Sequence, residues 1–264
     1  MTPPVVLSIA ATDSGGGAGL AADLATFAAL GVHGACAVTA VTAQDTTAVH
    51  AVVVMSPADL ARQIDAVFGD VTVAAIKTGV LGSTQAAQLV ADLARQHPST
   101  PLVVDPVLVS TSGGELATAE VLLAYRQIVL PAATVITPNR DEAARLLGAE
   151  GRTEDMAYAL HALGPAVVLT GGHPDGDSCT DILVDRSGRL TAFTHPTIGT
   201  SNDHGTGCTF SAAIAAGLAH GHPLETAVRD AQAFVGRALA TSRTWELGRG
   251  RGPVSHIHIP TKEN

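Results

Sequence analysis

The chain has 264 residues, enough to bury a full core as one large domain or two small ones. Its formal net charge is -9, and Lys77 and Lys262 are its only lysines. With no basic run, a general nucleic-acid surface is excluded. Apolar residues make up 46% and aromatics 3%, which fits many helices packed on a buried sheet. Cys36, Cys179 and Cys208 form no disulfide framework and no C-x-x-C metal signature, so a reducing cytoplasm is the expected location. The first residues lack a charged n-region, and no long apolar stretch runs without polar interruption. Neither a signal peptide nor a membrane span is expected.

In chain order, Val5 to Ala10 reads as a buried strand. It ends in Thr12-Asp13-Ser14-Gly15-Gly16-Gly17-Ala18-Gly19, and a helix follows over about Leu20 to Leu30. This is the order of an α/β nucleotide-binding unit, but the common fingerprints fail. Leu20 stands where G-x-G-x-x-G needs its third glycine, and no Gly-Lys-Ser/Thr occurs. Gly34 to Val41 reads as a second strand leading into Gln44. Ser56-Pro57 opens a helix to about Phe68. Val71 to Ile76 is a strand ending at Lys77-Thr78-Gly79, and Ser83 to Arg95 a helix. Leu102-Val103-Val104-Asp105-Pro106 is a strand ending in a carboxylate.

Ala117 to Leu130 reads as helical, Thr134 to Thr137 as a strand, and Arg140 to Leu147 as a helix with Gly148 past its end. Ala157 to Leu163 is helical. Ala166 to Leu169 is a strand ending in Thr170-Gly171-Gly172-His173. Asp181 to Val184 and Leu190 to Phe193 form a hairpin, and helices over Gly207 to His220 and Leu224 to Thr241 follow. Strands alternating with helices, with continuous apolar runs, predict a mainly parallel sheet covered on both faces. Polar and glycine-rich tails follow the strands, where open α/β sheets bind ligands. No repeat or composition break divides the chain, so 1–264 reads as a single domain.

His204-Gly205-Thr206-Gly207-Cys208 opens the first of the two last helices. Two glycines allow a sharp turn and close backbone approach, and the first helix amides lack internal acceptors. Together they make a site for a phosphate-like anion. Cys208 lies in the first turn, where a thiolate is favoured. The competing reading is a glycine-rich start to a core helix with Cys208 as a small buried hydrophobe. A phosphate-handling enzyme with two lysines would rely on backbone amides and a metal ion.

These motifs resemble the hydroxymethylpyrimidine/phosphomethylpyrimidine kinases of thiamin biosynthesis, within the ribokinase-like superfamily. The resemblance rests on the first glycine loop, Ala22-Asp23-Leu24, Thr42-Ala43-Gln44, Lys77-Thr78-Gly79 and Val104-Asp105-Pro106-Val107. It continues in Thr137-Pro138-Asn139, Glu142-Ala143, Gly171-Gly172-His173, His204-Gly205-Thr206-Gly207-Cys208-Thr209 and Gly250-Arg251-Gly252-Pro253. It implies ATP-dependent phosphorylation of 4-amino-5-hydroxymethyl-2-methylpyrimidine and then of its monophosphate, with ATP and Mg2+ as cofactors and a homodimeric assembly. By the same resemblance Cys208 is the general base, with Gly205, Thr206 and Gly207 around the transferring phosphoryl group. Asp23, Gln44, Gly15, Val80 and Val107 line the pyrimidine pocket. Asn139, Lys77, Thr170 and Gly172 belong to the nucleotide site, and Asp105 and Glu142 to the metal. Thr170 and the stretch Ser110 to Gly114, which includes Thr111, stand where the family carries lysines, and Val80 where it often has Met.

Read singly, several of these residues have other roles open to them. Asp105 before Pro106 could be a turn residue, Glu142 could offset a helix dipole, and Lys77 could only pair with a carboxylate. His204 reads as a loop brace rather than a base. The rival activity is a pyridoxal or pyridoxine kinase, whose substrate also carries a hydroxymethyl group. From another class, the chain could be a catalytically weak pyrimidine-binding sensor on the same fold.

Overall fold

The computed structural model describes residues 2–109, 116–171, 174, 175 and 177–257. Ser110 to Gly114, Gly172, His173 and Lys262, named above, lie outside the described residues.

The strands are β1 (Val5–Ala10), β2 (His33–Val38), β3 (Ala40–Gln44), β4 (Val49–Val54), β5 (Val73–Thr78), β6 (Leu102–Val104), β7 (Val135–Ile136), β8 (Ala166–Leu169), β9 (Pro174–Asp175), β10 (Ser178–Val184) and β11 (Leu190–Pro196). The helices are α1 (Gly19–Ala29), α2 (Pro57–Phe68), α3 (Thr84–Gln96), α4 (Ala119–Ala124), α5 (Leu130–Ala132), α6 (Arg140–Leu147), α7 (Thr153–His161), α8 (Thr206–Ala219) and α9 (Leu224–Ser242). The main sheet has the order β11-β10-β8-β7-β6-β5-β1-β2, with β9 on β10. From β8 to β2 every pairing is parallel, while β10 and β11 are antiparallel additions at the β8 edge.

Successive strand residues point to opposite faces. Leu7, Ile9, Val104, Ile136 and Leu169 therefore pack under α2, α3, α6 and α7, and Val6, Val103, Val135 and Val168 under α1, α8 and α9. Both faces are dry, which is why the runs are continuously apolar. Local signals set the helix starts. Ser56 and Ser83 accept amide hydrogens from Asp59 and Ala86, and Asn139 with Glu142 forms a reciprocal capping box. Among the described residues, no helix is long and apolar enough to cross a membrane.

Three expectations change. The run Gly34 to Val41 is not one strand. It breaks at Thr39, whose amide bonds Ala10 and whose hydroxyl bonds the carbonyl of Val80. Beyond the break, β3 leaves the main sheet and pairs antiparallel with β4, a strand the sequence reading missed. Its run Val52-Val53-Val54 is exposed, so apolarity there does not report core burial. The helix read over Ala117 to Leu130 is instead α4, a π-helical turn (Tyr125–Val129) and α5.

Candidate active site

The carboxyl ends of β1, β5 and β6 and the start of α8 open onto a cavity of about 680 Å3. Two glycine loops build one wall. Asp13 gathers the first by accepting from the amides of Gly15 (2.8 Å), Gly17 (3.0 Å) and Ala18 (2.9 Å). His204 Nε2 reaches the same carboxylate at 2.9 Å. Burial opposes the charge on Asp13, but the His204 bond and the amides hold its carboxyl below the usual range. Gly205 precedes α8 with φ +85, and a Cβ there would lie 1.8 Å from the carbonyl oxygen of Gly17. Only glycine fits, so each glycine loop sets the shape of the other. The tail completes the support. His204 donates its amide to the Gly252 carbonyl and accepts from the Val254 amide at its own carbonyl, and Thr209 of α8 meets His256 at 2.8 Å.

Gly207 and Cys208 are the second and third residues of α8, so their amides have no acceptor within the helix. With Gly205 and Thr206 they line the cavity floor, a built anion site. Beneath them runs a charged row. Lys77 and Asp23 are fully buried and joined at 2.9 Å, and Ser8 donates to Asp23 at 2.6 Å. Asp105 Oδ2 lies 3.9 Å from the Lys77 ammonium and accepts from Ser211 at 3.1 Å and from the Cys208 thiol. Burial raises the Asp105 carboxyl even though Lys77 and these hydrogen bonds oppose it.

The thiolate expectation is corrected here. Cys208 is partly exposed to the cavity, but the surrounding walls desolvate its sulfur and push the thiol up to about 12. Lys77 opposes that shift, and the charges of Asp105 and Asp23 add to it. The helix start does not overcome a buried position between two carboxylates.

Of the expected pocket residues, Gln44, Val80 and Val107 line the cavity. Asp23 and Gly15 do not. Asp23 is the buried partner of Lys77, and the Gly15 amide is turned onto Asp13. Lys77 is likewise absent from the lining, because its ammonium is fully buried against Asp23. On the nucleotide side Asn139 and Thr170 line the cavity, and Gly172 lies outside the described residues. Asp105 and Glu142 both face it. Burial first, and then the charge of Asp105, push the Glu142 carboxyl up to about 8. Two buried carboxylates, with the charge of Asp105 raising Glu142, fit a hard dication, and Mg2+ takes one or two such ligands beside substrate phosphates.

The sequence reading missed several lining residues. Val52 and Val54 come from the overlooked strand β4. Thr12 of the first glycine loop and Thr42 of the Thr42-Ala43-Gln44 stretch, both part of the resemblance, stitch β1 to β3 through bonds of 2.8 and 3.1 Å. Asp13 belongs to the first glycine loop, and His204 braces the loops as its sequence reading expects. Arg145 and Arg251 also line the cavity, so its cations are arginines from a helix end and the tail. Arg251 is paired with Asp203. Arg251 lies in the Gly250-Arg251-Gly252-Pro253 stretch of the resemblance, whereas Arg145 belongs to none of the quoted motifs.

A family model described as phosphomethylpyrimidine kinase matches residues 13–255. A hydroxymethylpyrimidine/phosphomethylpyrimidine kinase of Rhizobium meliloti is 45% identical over 260 residues, covering 96% of this chain and 97% of its own. The enzyme of that name in Escherichia coli is 41% identical over 258 residues, covering 96% and 97%. Among solved structures, Bacillus subtilis pyridoxal kinase bound to ADP superposes with TM-score 0.87 at 34% identity, covering 97% of this chain and 98% of its own. Clostridium difficile phosphomethylpyrimidine kinase gives TM-score 0.78 at 34% identity, covering 89% and 99%.

Proposed function

The chain belongs to the phosphomethylpyrimidine kinase family, and from that premise we propose that it phosphorylates 4-amino-5-hydroxymethyl-2-methylpyrimidine and then its monophosphate, using ATP. One observation carries the reading. A single cavity holds a thiol at a helix N-terminus, the buried carboxylates of Asp105 and Glu142, and a Gln amide. The residues 1–264 act as one kinase domain in this proposal.

The substrate hydroxymethyl group sits at Cys208, and the amides of Gly205 to Cys208 hold the phosphoryl oxygens as charge develops on them. Asn139 and Thr170 face the nucleotide. Arg145 and Arg251 line the same cavity and supply its positive charge. Asp105 and Glu142 would hold Mg2+, which would supply neutralisation of the phosphate charge. Cys208 rests as a thiol that donates to Asp105, so it serves as the proton acceptor only after its own proton has left through the cavity to solvent. Lys77 and Asp23 act from beneath, fixing Asp105 rather than contacting ATP. Gln44 reads the aminopyrimidine edge, since its carbonyl and amino group complement an adjacent donor and acceptor.

The test is ADP release with the aminopyrimidine and with pyridoxal, side by side. Preference for the aminopyrimidine is expected. Preference for pyridoxal hands the chain to the rival kinase, which the fold likeness to pyridoxal kinase keeps in view. Turnover of neither leaves the sensor reading.

A further inference from the structure

Outside the cavity, the β10–β11 hairpin brings together three donors of different chemistry. Cys179 and His195 are direct partners across the antiparallel pair. Asp181 stands two residues along β10 from Cys179, so strand geometry puts all three side chains on one face. A sulfur, a ring nitrogen and a carboxylate oxygen from these residues lie within 4.8 Å of one another.

Thiolate, imidazole and carboxylate form a donor set suited to zinc-type ions. Ligand bonds of ~2.0–2.3 Å require the donors to close by only about 1 Å. Cys179 and His195 are partly exposed and can make that adjustment. The supporting groups are already in place. Asp181 accepts from the Gly171 amide at 3.1 Å and from Gln232 of α9 at 2.6 Å. His195 Nδ1 lies 3.3 Å from the Pro196 carbonyl, and Nε2 lies 3.3 Å from Asp181 Oδ2. A ring that donates Nδ1–H to a backbone carbonyl presents Nε2 as a ligand. Among the described residues, no other group of three or more His, Cys, Asp or Glu side chains meets this spacing.

We propose that Cys179 Sγ, Asp181 and His195 Nε2 form a site for a zinc-class divalent cation, with a fourth position open to water. On binding, the metal–sulfur bond forms as the thiol proton leaves to solvent, with no change of oxidation state. Gly171 directly follows Thr170 of the cavity wall, so an ion here would fasten the hairpin both to that turn and to α9.

The experiment titrates chelator-stripped protein with Co2+ and follows absorbance. One ion per chain is expected, with a thiolate-to-metal band in the near ultraviolet and d–d bands of four-coordinate cobalt, all bleached by Zn2+. Cys179→Ser should lose the thiolate band, and His195→Gln should weaken binding about 10–100-fold. Cys36→Ser and Cys208→Ser should keep the spectrum. Zn2+ should raise the Tm of the unmodified protein but not of Cys179→Ser. The proposal is overturned if the unmodified protein gives no saturable spectrum, in which case Asp181 and His195 form only an ion pair. It is equally overturned if the band survives in Cys179→Ser and disappears in Cys208→Ser, which would place the ion in the kinase cavity.

Discussion

Cys208 and Gln44 carry the chemistry that the proposal assigns to single side chains. Loss of a general base costs about two to four decades, so Cys208→Ala should lower kcat by that much while ATP binding survives on the backbone amides. Near-normal turnover removes Cys208 from the mechanism. Gln44→Leu removes one side of a paired recognition, roughly 1–3 kcal/mol, or about one to two decades in kcat/KM on the aminopyrimidine. Pyridoxal turnover should change less, and equal loss on both substrates makes Gln44 structural. Glu142 has a pH signature. Its folded carboxyl titrates near 8 against an ordinary 4.5, so the folded state holds an extra proton between those values. Its contribution to stability is present below 4.5 and falls away as pH rises towards 8. Glu142→Gln should therefore match the parent Tm near pH 5 and exceed it near pH 8.5. In the parent enzyme, Mg2+ must displace that proton, so its apparent affinity should rise by up to ~tenfold per pH unit until about pH 8. A flat Mg2+ dependence over this range detaches Glu142 from the metal.

At the scale of elements, α8 and the loops around its start depend on one backbone contact. Gly205→Ala forces a left-handed residue with a side chain, a cost of ~1–2 kcal/mol before the clash with Gly17 is counted. Urea unfolding should register that loss, and phosphate transfer should fall with it as the amide cradle shifts. An unchanged midpoint would mean that the loops separate freely. The β1–α1 unit and β5 meet at the Asp23–Lys77 pair. Lys77→Met leaves a buried carboxylate without its cation, and such breaks cost about 3–5 kcal/mol. The double variant Lys77→Met/Asp23→Asn should regain much of that stability, while the KM for ATP stays near that of the parent. A large rise in the KM for ATP in the double variant would restore Lys77 to the nucleotide site.

For the whole molecule, the outer face of the small β3–β4 sheet is the place to look for assembly. Val41 and Val53 are cross-strand partners and are 47% and 63% exposed, whereas Val52 and Val54 line the cavity. We propose that this face pairs two copies of the chain. Light scattering should give twice the chain mass for the parent protein and the single mass for Val53→Asp. A monomeric parent rules the pairing out.

The sequence by itself carried the sheet, most of its strands and helices, and the family, because each follows from local pattern. Apolar runs too continuous for a one-sided strand demand cover on both faces, and caps such as Ser83 and Asn139 act within three residues of themselves. It also placed Gln44, Val80, Val107, Asp105, Glu142 and Cys208 on one cavity. It did not reveal that Asp23 and Lys77 are buried as each other's partners, nor that burial pushes the Cys208 thiol up, for a common reason. Burial and partnership are properties of residues far apart in the chain, such as 23 with 77 and 105 with 208. The same holds for His204 with Asp13, 191 residues away, and for the tail beside α8. Local pattern fixes which way a side chain leaves its own strand or helix. Only the tertiary structure decides whether it meets water, a cavity or an opposite charge, and a group's protonation follows from that meeting.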